Sequence, residues 1–318
     1  MSLIASKANG RQVAKTHFVS LGWQNGGTIM KKLVVSMIIA LLFSMGGFGS
    51  KMSASTVDRS TWLWNPWEIV SDEAGTLSFL EQKQINKVYV QIDRDIPMNV
   101  YRSFNTKASV KGIKVYALDG APSWVAPKGY RNQDALMNWL NTYQAGSTAS
   151  QKFTGIHLDV EPYLYTGWNT NRAATVKSYQ ALLIKANNSA AGLKLPLEAD
   201  LPFWFDEVTY NNTYGKGNLA EWVITKTNSV TIMAYRDTAP AIIDIVKNEV
   251  AFAGKHNKAL VIGVETGATD EGDLISFFEE GEAFMNGQLA SVASHYGTAL
   301  GYNGIAIHHV GSWKTMKP

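Results

Sequence analysis

Apolar and ionisable residues alternate through 155–163, Gly-Ile-His-Leu-Asp-Val-Glu-Pro-Tyr, with the period of two that marks a strand. Seven further short runs rich in β-branched or aromatic residues occur at 61–65, 87–93, 114–120, 194–201, 230–237, 259–266 and 304–310. Together with 155–162 they make eight strand candidates. Between them lie stretches of helical character, among them 134–143, 174–186, 240–255 and 272–296. Eight strand–helix repeats with no Pro-, Gly- or Ser-rich linker predict the α/β class and a single (β/α)8 TIM barrel. The rival architecture is a doubly wound open sheet, but no glycine-rich phosphate loop follows an early strand. Gly112, Gly192 and Gly254 fall shortly before strands, where helix C-caps are expected.

Barrel geometry turns the alternation into location, because successive side chains face opposite sides of the sheet. Ile156, Leu158 and Val160 are expected to face the helices, which leaves His157, Asp159 and Glu161 pointing into the barrel. The same reasoning turns Tyr89, Gln91, Asp93, Glu198, Asp200, Met233, Tyr235, Asp237, Glu265 and His308 inward. The third strand is ambiguous by alternation, and Asp119 ends it either way. Most of these polar residues sit at C-terminal strand ends, the face that carries active sites in such barrels. That many carboxylates cannot all stay ionised side by side, so some are expected to be protonated, paired or turned aside.

Composition changes the picture chiefly at the N-terminus. Residues 1–54 contain Lys7, Arg11, Lys15, Lys31, Lys32 and Lys51 but no acidic residue. Within them Met30-Lys31-Lys32 precedes an apolar run at 33–43 and a small-residue exit, the pattern of a secretory signal peptide over 30–54. The run falls short of the roughly 20 residues that a spanning helix needs. Residues 1–29 read as an upstream unstructured segment, and 55–318 as the barrel. Without 1–54, 23 of the 29 Lys and Arg remain against 26 Asp and Glu, a net charge near −3. Nucleic acid is therefore not an expected partner. Cysteine is absent, which excludes thiol catalysis and disulfides. The expectation is a secreted bacterial protein, extracellular or bound to the cell wall, monomeric, with no stable membrane insertion once the leader is cleaved near Ala54.

Thr154-Gly155-Ile156-His157-Leu158-Asp159-Val160-Glu161 resembles the fourth-strand signature Asp-Gly-x-Asp-x-Asp-x-Glu of the chitinase-like glycoside hydrolases of family 18. Gly155, Asp159 and Glu161 match, whereas Thr154 and His157 replace the first two aspartates. Met233-Ala234-Tyr235-Arg236-Asp237 is similar to that family's Met-x-Tyr-Asp motif with one residue inserted. Trp313, near the last strand, resembles its sugar-floor tryptophan, and the Leu-Asp-x-Glu strand end is also similar to the family 25 lysozymes.

The chemistry of glycoside cleavage fits the same residues. It needs a protonated carboxylic acid for the leaving oxygen and a group that stabilises positive charge at the sugar carbon. Glu161 is the expected general acid. Asp159 lies roughly 6–7 Å back along the strand, placed to raise the proton affinity of Glu161 and to contact substrate. On an N-acetylated amino sugar, the resemblance implies that Asp159 orients the acetamido group and Tyr235 bonds its oxygen. Without that group a second carboxylate must serve, with Glu265, Asp200 and Glu198 as candidates in that order. The resemblance gives position 157 the role of relaying proton state to Asp159. An imidazole there can hold Asp159 ionised by a hydrogen bond, or mark altered or lost chemistry.

Other expected contacts to a carbohydrate polymer or oligosaccharide come from Asp119, Asp200, Asp237, Glu265, His157 and His308. Indoles near strand ends, Trp64, Trp204 and Trp313, can stack on apolar sugar faces. No cofactor is expected. Two other functions compete: a barrel that binds polysaccharide without cutting it, and a metal-dependent hydrolase or deacetylase using His308 and His309. No His-x-x-x-His pair supports the latter.

Overall fold

In the computed structural model, which describes residues 57–318, eight parallel strands close into a barrel. They are β1 (Asp58–Leu63), β2 (Lys87–Gln91), β3 (Lys114–Asp119), β4 (Gly155–Leu158), β5 (Leu197–Pro202), β8 (Ser229–Met233), β9 (Ala259–Glu265) and β10 (Tyr302–His308). β1 pairs with both β2 and β10, which closes the ring. A short antiparallel hairpin, β6 (Thr209–Asn212) and β7 (Gly215–Asn218), stands outside it. The expected upstream segment and signal peptide lie outside the described residues. Among the described residues no helix is long and apolar enough to cross a membrane.

The helices that follow the strands are α1 (Glu73–Gln82), α2 (Met98–Val110), α3 (Tyr130–Ala145), α4 (Arg172–Leu193), α5 (Leu219–Lys226), α6 (Ala239–Lys255), α7 (Glu282–Tyr296) and α8 (Val310–Thr315). The main core lies between strands and helices. Ile156, Leu158, Leu197, Ala199, Ile232, Ile262, Val264 and Ile307 all belong to it, as alternation requires. A second cluster fills the barrel interior: Trp62, Tyr89, Tyr116, Leu118, Val261 and Ala306. It settles β3, whose inward residues are Tyr116 and Leu118. Asp119 therefore shares the outward parity of Val115 and Ala117.

Three expectations are corrected. The fourth strand ends at Leu158, not near Pro162, with one more ladder bond from Asp159 N to Asp119 O (3.2 Å). Pro162 has no N–H to give and disfavours helical backbone in the residue before it, and Glu161 turns away at φ −98, ψ 79. The expected helix over 272–296 starts only at Glu282, because Phe277 N bonds to Glu265 O (3.0 Å) and ties the preceding segment to the end of β9. Finally, Gly112 does take a positive φ (74°), but Gly192 and Gly254 lie inside the last turns of α4 and α6. The left-handed residues after those helices are Lys194 and Asn257.

Candidate active site

β4 and the turn after it deliver two carboxyl groups to the C-terminal mouth. A cleft of about 380 Å³ there is lined by Glu161, Tyr163, Trp204, Tyr235, Arg236 and Glu271, among others. The Tyr163 hydroxyl donates to Glu161 Oε1. Burial pushes the Glu161 carboxyl above its usual range; Tyr163 pulls the other way, and Asp200 and Glu271 add to the rise. Asp159 is pushed up further, by burial first and then by the charges of Asp200 and Glu161. The two carboxyls thus compete for charge and retain protons where free carboxylates have lost them. Burial, Glu265, Asp200, Asp159 and Glu161 together raise Tyr235, so its phenol stays protonated as a hydrogen-bond donor amid four carboxylates.

Beside this pair, Glu265 at the end of β9 accepts from His308 Nδ1 (2.6 Å) and from the N–H groups of Thr266 (2.8 Å) and Gly267 (2.7 Å). Burial opposes its charge, but those bonds win and lower its pKa. Trp64 Nε1 donates to His308 Nε2 (2.8 Å). Since the indole can only donate, His308 carries its proton on Nδ1 and gives it to Glu265. Trp204 packs edge-on to Tyr163 (5.1 Å) along the cleft. Trp64 also borders a second depression of about 500 Å³ at the ends of β1 and β2, where Trp67 Nε1 donates to Asp93 Oδ2 (2.8 Å).

Other expected contact residues are placed elsewhere. His157 and Asp200 lie buried beneath the mouth, Nε2 to Oδ1 at 2.9 Å but off the N–H direction, so that the contact is an ion pair more than a linear hydrogen bond. His157 faces Asp200 and Glu198, not Asp159, which corrects the expected hydrogen bond to Asp159. Asp119 faces Arg94 Nη2 (3.5 Å), and burial pushes its carboxyl up to about 6 against the Gly120 N–H and that arginine. Asp237 is buried, and its backbone N–H bonds to Leu274 O (3.2 Å). Trp313 does not reach the cleft: it is 2% exposed in the outer core, edge-on to Phe79 (5.6 Å). The physical reason is that the last strand leads directly into α8, whose inner face carries Trp313 under the barrel wall.

His308 and His309 diverge. His309 Nδ1 accepts from Gly311 N (3.1 Å) and caps α8, while His308 faces the barrel. Among the described residues no group of three His, Asp or Glu side chains is arranged as metal ligands.

Sequence reasoning missed Tyr163, Arg236, Glu271 and Lys87. Tyr163 lies two residues past Glu161, beyond the point where strand alternation applies. Glu271 lies between the strand run at 259–266 and the helical stretch expected from 272, where no alternation applies. Lys87 had a usable signal, since it shares inward parity with Tyr89 and Gln91.

No family model matches the sequence, and no curated protein matches it. Solved structures do share the fold. The spore cortex-lytic enzyme SleL of Bacillus megaterium QM B1551 is 13% identical with a TM-score of 0.54, over 82% of this chain and 73% of that one. A chitinase from Chromobacterium violaceum ATCC 12472 is 11% identical with a TM-score of 0.50, over 82% and 97%. D-Psicose 3-epimerase from Clostridium cellulolyticum H10 is 9% identical with a TM-score of 0.50, over 79% and 84%. The chain is thus similar to chitinase-like barrels, as its fourth-strand motif resembles theirs, and at these identities the likeness is one of fold, the closed (β/α)8 barrel.

Proposed function

We propose that the protein hydrolyses glycosidic bonds in a glycan containing N-acetylated amino sugars, outside the cell, with Glu161 as general acid. The observation that carries this reading is a carboxyl pair, Asp159 and Glu161, both with raised proton affinity, of which Glu161 lines a cleft walled by Trp204, Tyr163 and Tyr235. Glu161 gives its proton to the leaving oxygen as the bond from that oxygen to the sugar carbon breaks, and is left as the carboxylate. The acetamido carbonyl, oriented by Asp159 and bonded by the Tyr235 hydroxyl, forms the new bond to that carbon; water then attacks the same carbon, giving a proton to Glu161 and restoring the acetamido group. Glu265 is less suited to nucleophilic attack, because His308 and two backbone N–H groups already occupy its oxygens.

The test is reducing-sugar release from chitin oligomers, peptidoglycan, deacetylated chitosan and neutral β-glucans, with wild type and Glu161→Gln, with and without chelator. Expected is release from N-acetylated substrates only, insensitive to chelator and at least about 100-fold slower in the variant, the scale of a positioned acid. Normal turnover in a folded Glu161→Gln protein removes Glu161 from the role. Binding of one glycan with no release from any favours a barrel that only binds. Loss of release on chelation favours metal chemistry.

A further inference from the structure

Five buried side chains alternate in sign through the barrel interior. Asp58 Oδ2 lies 2.5 Å from Lys87 Nζ, which lies 2.8 Å from Glu198 Oε1. Glu198 Oε2 lies 3.5 Å from His157 Nδ1, and His157 Nε2 lies 2.9 Å from Asp200 Oδ1. Trp62 Nε1 closes the series by donating to Asp200 Oδ2 (3.0 Å). None of the five is more than 5% exposed. The series starts at the first residues of β1 and β2, on the face opposite the mouth, and ends under the carboxyl pair.

His157 is the informative member, because a carboxylate oxygen faces each of its ring nitrogens. A neutral imidazole has one N–H and one lone pair, and here the lone pair would point at a carboxylate in a water-free interior. The imidazolium alone presents N–H to both. Its ring also stacks on Tyr89 (centroids 3.7 Å apart, 24° between planes), an aromatic face that favours a cation. Without that charge, Glu198 would keep only Lys87 and Asp200 would face no cation among the ion pairs of the described residues.

We propose that His157 is a permanently charged positioning residue: by pairing with Asp200 it fixes a buried carboxylate beneath Asp159 and Glu161, and that carboxylate holds the catalytic proton on the pair. The second half rests on the reading of Glu161 as the acid; the charge of His157 does not. The groups facing His157 are Glu198 and Asp200 from β5, Tyr89 from β2 and Trp62 from β1, and the charge of His157 also acts on Asp159, two residues further along. Those acting on Glu161 are Asp200, Tyr163, His308 and Glu271. Burial alone would neutralise His157, but Asp200 and Glu198 raise it to about 9.

Two measurements test this. In protein labelled with 15N-histidine, the His157 ring, assigned by the signals lost in His157→Asn, is expected to show both nitrogens protonated up to about pH 8, well above the ordinary midpoint near 6.5. A neutral tautomer at pH 7.5 overturns the proposal, and the wild-type spectrum decides this however the variants fold. In Asp200→Asn, whose His157 keeps its charge through Glu198, the Glu161 carboxyl followed by 13C resonance is expected to titrate about one pH unit lower than in wild type. An unmoved Glu161 titration overturns the link to the catalytic proton. Because neither readout requires turnover, a protein that cleaves no glycan defeats the proposed function and leaves the charge of His157 still decided by its own spectrum.

Discussion

Glu249 lies on the core face of α6 beside Val246 and Val250, 3% exposed, and neither of its carboxylate oxygens makes a hydrogen bond of ordinary geometry. Burial pushes its carboxyl up to about 7, its own backbone N–H acting the other way and Asp206 and Glu221 adding to the rise. The folded protein therefore binds a proton there that the unfolded chain has released above its ordinary value of 4.5. Stability from this group is fully present below that value and is lost as pH rises through about 7, after which the deficit stays constant. Glu249→Gln, which cannot ionise, is expected to match wild type in urea unfolding at pH 4.5 and to exceed it by about 3 kcal/mol at pH 8.5. Equal midpoints for the two proteins at both pH values would show that Glu249 reaches a partner or water. The same physics raises the proton affinity of Glu161 and Asp159 at the mouth.

At the scale of elements, β3 and β4 meet at two glycines. A Cβ on Gly155 would lie 2.1 Å from Tyr116 Cε1, and one on Gly120 would lie 2.0 Å from Asp159 O. Gly155 thus makes room for the Tyr116 ring in the barrel interior, and Gly120 lets the end of β3 support the backbone of Asp159. Gly155→Ala is expected to cost about 1–3 kcal/mol, the range for overpacking a filled interior, read as a lower urea midpoint with unchanged slope. An unchanged midpoint would mean that Tyr116 moves aside freely. Gly155 could be singled out from sequence as part of a motif, but its steric partner could not, since Tyr116 lies on a strand whose alternation was ambiguous. The eight barrel strands were legible because each packs one apolar face on helices. The end of β4, the hairpin and the 272–281 segment were not, because tertiary contacts set them: Pro162 stops one ladder, and the Phe277 bond to Glu265 overrides a helical pattern.

For the whole molecule, alternation correctly turned Glu198, Asp200, His157 and Glu265 inward, yet it gave no depth. Residues read alike as mouth residues divide into a cleft layer, a buried layer beneath it and a floor. Lys87 explains how so many carboxylates share one interior. Burial works against its charge, but Tyr89, Glu198 and Asp58 outweigh this and raise its pKa, while Asn303 Nδ2 donates to Asp58 (2.9 Å) and Lys87 Nζ lies 4.6 Å from the Tyr116 ring centre. Lys87→Met keeps most of the apolar stem and deletes the charge, leaving buried Asp58 with no cation and Glu198 with His157 alone. It is expected to destabilise the barrel by about 3–5 kcal/mol in denaturant unfolding at pH 7, the scale for breaking a buried ion pair from one side. Adding Glu198→Gln removes one of the two carboxylates that lost the lysine, so the double variant is expected to be more stable than Lys87→Met alone. A double variant no better than the single would mean that the loss comes from packing around the lysine stem. Recovery would mean that opposed charges in the floor, and not apolar filling alone, determine how much acid the mouth of this barrel can carry.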